Sequence, residues 1–268
     1  MTTTHLAAWA DDRGNVIEYD GPPMESVTVT FRGENNRLVV SPRARIAPGP
    51  WNFTFSNSNA LIKVGAGRPR TRLRPSVRVG QDATVVIGPQ VSSTAKVLIT
   101  AAEGATVRIG RRTLISHGVE IRADDSHPIF DIRTGRRVNH SRDITIGPHV
   151  WLGAQVVVLA GATIGEGSVV GIRSVVTRPL PNNVVAVGAP AVPVRRDIAW
   201  EPDPLTKREP AYKLDASTVT KSEYWRPTGD PAAFGHEFAG PAVGHPTVRR
   251  MRAQARRAVG RARRLLRR

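Results

Sequence analysis

A histidine in a polar stretch is the first residue whose type points to chemistry. His127 stands in "DDSHPIFD", residues 124–131, with Asp124, Asp125 and Asp131 near enough in sequence to orient or charge-pair its ring. An imidazole titrates near ~pH 6.5 when unperturbed, so it can take a proton from a hydroxyl at neutral pH. We interpret His127 as a candidate general base.

Three further histidines compete for that role, namely His117, His140 and His149. His117 follows "LIS" and His149 precedes "VWLG", which are positions on or beside a regular repeat. Histidines in loops are usually solvated, and loop placement is only a weak guide to function. From the residues alone, the choice among the four stays open.

The region that follows His127 repeats every six residues. Aliphatic residues recur at that spacing at Ile146, Leu152, Val158, Ile164, Val170 and Val176. A period of six matches neither the 3.6 of a helix nor the alternation of a long strand. It is typical of short strands that turn a corner every six residues. Three such sides make a coil, and stacked coils bury a continuous aliphatic column.

The repeat extends backwards in a less regular form. Val64, Ile87 and Ile109 end three similar segments, "NALIKVG", "DATVVIG" and "GATVRIG", about one coil apart. We therefore predict an all-β fold, a parallel β-helix over residues 25–197, after an N-terminal segment at 1–24. A β-sandwich of short strands also fits the N-terminal third, but it does not fit residues 144–179.

An interruption separates Ile121 from Ile146. The two residues are 25 apart, which is one hexad step plus 19 further residues. Residues 124–143 therefore cannot lie in the wall of a coil, and we predict that they protrude as a loop. Loops on a rigid scaffold frequently carry catalytic groups, and this loop contains His127.

The segment "ITIGPHVWLGAQVVVLAGATIGEGSVVGIRSVVTRPLPNNVVAVGAPAVPVR" resembles the hexapeptide-repeat acyltransferases, in particular the sugar and polysaccharide O-acetyltransferases. The in-step hexads, "HVWLG", "SVVT" with a basic residue and a closing "GAPA" carry the resemblance. It implies a left-handed helix and a homotrimer that binds acetyl-CoA in the groove between subunits. Left-handedness comes only from the resemblance, because parallel crossovers are usually right-handed.

The resemblance also assigns roles to individual residues. His127 becomes the base that accepts the hydroxyl proton, and Trp151 shapes the acyl end of the pocket. The expected coenzyme A contacts are Ala154, Ile172, Thr177, Arg178 and Arg195. Ile172 stands where the family usually has a small residue, and Arg178 replaces the commoner lysine while keeping the charge.

No metal is expected from the histidine spacing. Some hexapeptide-repeat proteins are zinc carbonic anhydrases, which use three histidines, two of them five residues apart. The histidines from His117 to His149 are separated by 10, 13 and 9 residues. The histidine spacing therefore does not favour a zinc-dependent carbonic anhydrase.

The composition of the chain limits the classes of protein to which it can belong. The 268 residues include no cysteine, so disulfides and thiolate metal sites are excluded. No apolar run approaches the ~20 residues of a membrane span, and the N-terminus lacks a secretion signal. We therefore expect a cytoplasmic protein. The net charge is +17, but ten arginines lie in the last 23 residues, so the remainder carries 17 − 10 = +7.

Two different segments follow the β-helix. Residues 198–245 are rich in proline and glycine. This composition fits an extension that wraps the β-helix or a neighbouring subunit, and it also fits a disordered segment. Its aromatic residues are spaced as anchors: Trp200, Tyr212, Trp225, Phe234 and Phe238. Residues 246–268 have the spacing of a basic amphipathic helix, which suits an anionic membrane surface. A nucleic-acid arm and a solvated end are the alternatives.

These observations favour an acetyl-CoA-dependent O-acetyltransferase acting on a saccharide hydroxyl in surface-glycan synthesis. Two other functions stay open. One is N-acylation of a nucleotide-linked amino sugar, and the other is a non-catalytic β-helix scaffold that binds through its basic tail.

Overall fold

The computed structural model describes residues 1–69, 71–203 and 215–229. These residues form strands and connecting turns, with no α-helix among them. The strands assemble into three sheets that form the three walls of one β-helix.

Sheet 1 has eight strands, which are β1 (Thr2–Leu6), β4 (Met24–Phe31), β6 (Trp51–Phe55), β8 (Pro75–Val79), β11 (Val97–Ala101), β14 (Glu120–Arg122), β17 (Val157–Leu159) and β20 (Val175–Val176). Sheet 2 has eight, which are β2 (Trp9–Ala10), β3 (Val16–Glu18), β5 (Arg37–Val40), β7 (Leu61–Val64), β9 (Thr84–Ile87), β12 (Thr106–Ile109), β15 (Ile144–Ile146) and β18 (Thr163–Ile164). Sheet 3 has six, which are β10 (Ser92–Ser93), β13 (Leu114–Ile115), β16 (Trp151–Leu152), β19 (Val169–Val170), β21 (Val185–Gly188) and β22 (Ala191–Arg195). From β8 to β20 the chain visits sheets 1, 2 and 3 in turn, so consecutive coils pair in parallel.

Aliphatic and aromatic side chains stack in inward columns along each sheet. In sheet 1 one such column runs, in register and fully buried, through Val29, Phe53, Val77, Ile99, Ile121, Val158 and Val176. Ile109 pairs with Ile87, which in turn pairs with Val64, as the segment spacing predicts. Burying such a side chain contributes about 1.5–3 kcal/mol, so each residue of the column stabilises the stacked coils.

Glycine occupies corners where successive coils approach closely. A Cβ added at Gly147 would lie 2.7 Å from the backbone nitrogen of Glu166, and one at Gly165 would lie 2.3 Å from that of Asn182. Any larger residue would push the next coil away. This contact explains why glycine follows the aliphatic residue at these steps of the repeat.

Both ends of the β-helix carry antiparallel pairs. At the N-terminal end, β1 pairs with β4 and β2 pairs with β3. Parallel pairing begins between β3, which lies in the segment 1–24, and β5 of the next coil. At the other end, β21 and β22 form a hairpin whose turn contains the "GAPA" sequence.

Parts of the C-terminal extension pack against the β-helix. Residues 198–203 and 215–229, hereafter the aromatic strap, contact its sheet 3 side, and Tyr224 is buried. The basic tail at 246–268 lies outside the described residues, so its helix and its membrane contact stay predictions. Across the described ranges, no helix has the length and apolar character needed to cross a bilayer.

Candidate active site

The loop at 124–143 leaves the β-helix between β14 and β15, at the corner that joins sheet 1 to sheet 2. The Asp131 carboxylate accepts hydrogen bonds from the backbone of Arg133 (2.9 Å) and Thr134 (2.8 Å), which tightens the loop tip. Phe130 and Arg137 form an antiparallel bridge below that turn. The surplus residues therefore fold as a short hairpin, with its two arms side by side.

Asn139 fixes the backbone on both sides of His127. Its amide nitrogen donates to the His127 carbonyl (2.9 Å) and to the Asp125 carboxylate (3.0 Å). Its amide oxygen accepts the backbone N–H of Ile129 at 2.7 Å. One side chain from the returning arm thus holds the segment that carries the candidate base.

Two acidic residues tie the loop to the coils beneath it. Asp124 is buried and accepts a hydrogen bond from the Arg78 guanidinium at 2.8 Å. Glu103 pairs with Arg137 and accepts hydrogen bonds from Ser141, at 3.0 Å to the backbone N–H and 2.8 Å to the hydroxyl. The Arg137 guanidinium, followed by the Ser141 backbone, lowers the pKa of Glu103 to about 2. These contacts fix the base of the loop.

The imidazole of His127 is exposed. The sequence expectation that an aspartate orients this ring is wrong for the structure: Asp124 binds Arg78, Asp125 binds Asn139, and Asp131 caps its own turn. The ring therefore faces solvent, free to meet a molecule that approaches the corner. Of its competitors, His117 and His140 are also exposed.

Trp151 lies on a different wall. It projects outward from sheet 3 with 41% of its surface exposed, and its ring centroid lies 5.8 Å from that of Trp200 at an interplanar angle of 47°. Within the residues that the structure covers, no hydrogen bond or ring contact joins Trp151 to His127. The two predicted catalytic residues therefore do not meet within one chain.

His149 is buried between two rings of the aromatic strap. Trp200 stacks on one side at 4.2 Å and Tyr224 at 4.6 Å, both nearly parallel to the imidazole. The His149 Nε2 lies 2.9 Å from the Trp200 carbonyl, and the Trp200 indole N–H donates to the His149 carbonyl at 3.0 Å. Burial lowers the pKa of His149, so the ring is neutral and Nε2–H donates. This histidine docks the aromatic strap.

The residues expected to bind coenzyme A occupy two corners and one edge. Ala154 and Ile172 share the corner between sheets 3 and 1, where the Ala154 carbonyl accepts the Arg173 N–H at 2.8 Å; Ile172 is 66% exposed. Thr177 and Arg178 follow β20, at the same corner as the His127 loop. Arg195 ends β22, opposite Val185.

Both arginines suit phosphate groups. Arg178 and Arg195 are exposed, and neither has a carboxylate partner in the described part of the chain. A guanidinium of that kind is available to a phosphate in bidentate geometry. Among residues 1–69, 71–203 and 215–229, no group of three or more histidine or acidic side chains is placed to hold a metal ion.

Two important contacts have little signal in the sequence. Asn139 is one polar residue in a polar loop, and nothing in its spacing marks it as the partner of His127. The sequence offers some indication that Trp200 packs against the β-helix, because aromatic residues stand out in a segment rich in proline and glycine. His149 itself had none, since its partners lie 51 and 75 residues further along the chain.

Comparison with known proteins agrees with this architecture. Residues 143–178 match the protein-family profile described as bacterial transferase hexapeptide (six repeats). A polysialic acid O-acetyltransferase of Neisseria meningitidis is 48% identical over 63 residues, which cover 24% of this chain and 29% of that protein. Its namesake from Escherichia coli O1:K1 / APEC is 33% identical over 123 residues, covering 38% and 40%. The chain thus matches less than half the length of these curated relatives.

Most of the chain has a counterpart of similar fold among solved structures. The crystal structure of the polySia-specific acetyltransferase NeuO superposes with a TM-score of 0.61 and 24% sequence identity, covering 74% of this chain and 96% of that one. The predicted all-β fold, a left-handed parallel β-helix, and the resemblance to hexapeptide-repeat transferases are confirmed.

Proposed function

We propose that this chain transfers the acetyl group of acetyl-CoA to a hydroxyl of a saccharide, and that the acceptor belongs to a surface glycan. The main observation behind the proposal is that the loop at 124–143, whose backbone is held by Asn139 and Glu103, carries an exposed His127 on a hexapeptide β-helix. The relatives named as polysialic acid O-acetyltransferases support the same chemistry.

In the proposed reaction, His127 accepts the proton of the acceptor hydroxyl as its oxygen attacks the thioester carbonyl. The tetrahedral intermediate then collapses with cleavage of the carbon–sulfur bond, and the coenzyme A thiolate leaves and takes up the proton. Trp151 packs against the acyl group, and its indole N–H faces the developing oxyanion. No covalent acyl-enzyme is needed, because the oxygen attacks acetyl-CoA directly.

The separation of the two corners supports a site that forms between copies of the chain. Ala154 and Ala160 lie at opposite ends of the sheet 1 wall. The corner that carries the His127 loop, between sheets 1 and 2, lies across the β-helix from the sheet 3 wall that carries Trp151. In a homotrimer, the His127 corner of one subunit faces the Trp151 wall and the Ala154 corner of the next, and acetyl-CoA lies between them.

The direct test is acetyl transfer with and without the base. Coenzyme A release and the mass of the acceptor are followed for the wild-type chain, His127→Ala and His140→Ala on a panel of glycans. Loss of a general base lowers kcat by about 10²–10⁴-fold, while acetyl-CoA still binds. His140→Ala, an exposed histidine of the same loop, retains activity. Wild-type turnover by His127→Ala would refute the proposed role.

Mixing two defective subunits tests the shared site. Trimers co-expressed from His127→Ala and Trp151→Ala chains contain one intact His127–Trp151 pair whenever both chains are present. Random assembly then restores about a quarter of the wild-type activity, since one interface in each mixed trimer is complete. If both residues acted within one chain, the mixture would stay as inactive as its components.

A further inference from the structure

The basic charge of the N-terminal coils is concentrated in one stretch of the chain. Between Glu34 and Asp82, the sequence contains nine lysine and arginine residues and no aspartate or glutamate. Arg37 pairs with Glu18, and Arg78 pairs with Asp124. Among the described residues, the other cations of this stretch form no ion pair with a carboxylate.

Five of these arginines occupy adjacent coils. The arginine patch consists of Arg43, Arg45, Arg68, Arg72 and Arg74. Backbone hydrogen bonds connect its two segments: the N–H of Gly67 donates to the Arg43 carbonyl at 2.8 Å, and the N–H of Leu73 donates to the Arg45 carbonyl at 2.8 Å. These bonds place the two arginine-bearing segments side by side at the start of the sheet 3 wall.

None of the five guanidinium groups pairs with a carboxylate in the described residues. Arg43, Arg45 and Arg68 are exposed, and Arg72 and Arg74 are half-buried. Arg72 donates to the Thr71 carbonyl at 3.0 Å, and Arg74 to the Ser93 carbonyl. Those bonds hold two side chains in place while their charge stays uncompensated, which is the state of a surface ready for an anion.

Strand register connects this patch to Trp151. Ile46 pairs with Leu73, and the Ser93 N–H donates to the Arg72 carbonyl at 2.9 Å. Ser93 pairs in turn with Ile115 and Ile115 with Leu152, all on the inward side. The residues one position earlier form the outward column, which reads Arg45, Arg72, Ser92, Leu114 and Trp151.

The outward column sets the distance between the arginine patch and Trp151. Adjacent strands lie about 4.8 Å apart, so Arg72 stands three strands and roughly 14 Å from Trp151. The patch and the proposed acyl pocket therefore share one face of the protein and one line parallel to the axis of the β-helix. A ligand that touches both must be an elongated molecule.

We propose that the arginine patch binds the carboxylates of an acidic polysaccharide while one of its sugar units lies beside Trp151. This inference rests on the proposed function and adds the substrate class, an anionic polymeric glycan. Guanidinium groups bind carboxylates in bidentate geometry, and a chain of several sugars spans the distance to Trp151. A polyphosphate such as nucleic acid would satisfy the charge, but the alignment with Trp151 favours the acceptor.

Binding is measured without acetyl-CoA, so that its outcome is separate from catalysis. End-labelled oligogalacturonate and oligosialic acid of one to eight units, a neutral maltooligosaccharide series and a single-stranded oligonucleotide of equal charge are titrated against the full chain by fluorescence anisotropy. We expect affinity for the two carboxylated series to rise with length and to fall as salt is added. The neutral series binds weakly at every length.

Charge removal locates the site. Arg45→Gln with Arg72→Gln weakens carboxylated-glycan binding by about 10–100-fold, because two charge-assisted contacts are lost. Arg32→Gln, an exposed arginine on another corner, removes the same kind of charge and leaves binding unchanged. In transfer assays the double variant raises KM for the glycan and leaves kcat within about twofold, which a general loss of structure would not do.

Four results would overturn the inference: no binding of either carboxylated series, equal affinity for the neutral glycans, tighter binding of the oligonucleotide, or unchanged binding by the double variant. Failure of the proposed function is a different result. In that case carboxylated glycans bind through the arginine patch, yet no acetyl group reaches any acceptor.

Discussion

Two segments leave the regular coils of the β-helix. Polar contacts hold both of them, but only one also buries aromatic rings. The loop at 124–143 is fixed by polar bonds to its backbone, and no side chain from residue 125 to 143 is buried. Its tip exposes apolar side chains, including Ile132 at 97%. The aromatic strap instead buries Tyr224 and stacks Trp200 on His149.

The two segments therefore differ in how easily they can move away from the β-helix. Solvent-exposed hydrogen bonds open at low free-energy cost, so the loop can adjust when a ligand or another subunit meets it. Stacked buried rings open only with loss of apolar burial, so the aromatic strap keeps a fixed position beside Trp151. The proposed base thus lies on the adjustable segment, and the proposed acyl pocket lies against the fixed one.

The largest effect on the loop should come from removing the side chain of Asn139, which holds the backbone around His127. Asn139→Ala deletes the contacts to Asp125, His127 and Ile129 at once, so the candidate base loses its position. We expect kcat for acetyl transfer to fall about 10–10²-fold with KM for acetyl-CoA unchanged, because a small misplacement of a catalytic group is costly. Steady-state kinetics of both parameters give the measurement.

A matched control is Asn59→Ala. That side chain also donates to an aspartate, Asp82, at 3.0 Å, but it lies at a corner of the N-terminal coils. It should leave kcat unchanged. Equal losses in the two variants, or a normal kcat for Asn139→Ala, would show that Asn139 does not position His127.

The β-helix was largely predictable from sequence because its core repeats at a fixed step. Ile121, Val158 and Val176 are equivalent in sequence and stack in register. The loop was predictable as a surplus of residues that a coil cannot hold. The early coils were harder to place, since Ile46 and Leu73 meet in a single bridge rather than in a full hexad.

The site was less predictable because its contacts join residues without a common period. The resemblance names His127, but it does not indicate that Asn139 holds the backbone around it. His149 looks like any corner residue until Trp200 and Tyr224 fold back onto it. Such pairings depend on the path of the folded chain, which no local pattern records.

Removing the central ring of the aromatic strap tests its anchoring role. Trp200→Ala deletes the stack on His149 and the contact with Trp151, and it should destabilise the protein by about 2–3 kcal/mol, somewhat less than a fully buried tryptophan. Thermal unfolding measures the loss, and fluorine NMR of 5-fluorotryptophan protein reports on Trp151 directly. Trp200→Phe keeps a ring and should recover most of the stability.

Trp225→Phe is the companion variant. Trp225 donates to Glu201 at 2.8 Å within the same strap, but no ring contact joins it to Trp151. Its replacement should leave the Trp151 resonance in place, whereas Trp200→Ala should move it. A Trp151 resonance insensitive to Trp200 would mean that the aromatic strap does not shape this wall.

Acidification should loosen the aromatic strap before the loop. Burial lowers the pKa of His149 below its usual value of about 6.5, so this imidazole binds a proton more readily when the aromatic strap is undocked than when it is docked. The stabilisation is fully present above that value and is lost as the pH falls through it towards the folded pKa. Hydrogen exchange of residues 215–229 between pH 7.5 and 5 measures the change, after correction for intrinsic rates.

His149→Phe keeps a flat ring in the stack and has no proton to gain. In that variant the protection of residues 215–229 should be independent of pH across the same range. If the pH dependence persists unchanged, another group controls the aromatic strap. The loop should show no transition in this range in either protein.

The smallest expected effect concerns Glu103, whose pairing with Arg137 lowers its pKa to about 2. Because the folded pKa lies below the unfolded value, the stabilisation is complete above about pH 4.5 and is lost as the pH falls through about 2. Solvent screens this exposed pair, so its loss should change the stability of the protein less than any other change described above. The backbone N–H of Ser141, 3.0 Å from the carboxylate, reports the titration through its nitrogen-15 chemical shift. Glu103→Gln should abolish that titration and leave the aromatic strap unchanged. If the chemical shift of Ser141 instead titrates with a midpoint near the ordinary pKa of a glutamate, the contacts of Glu103 with Arg137 and Ser141 are not formed in solution.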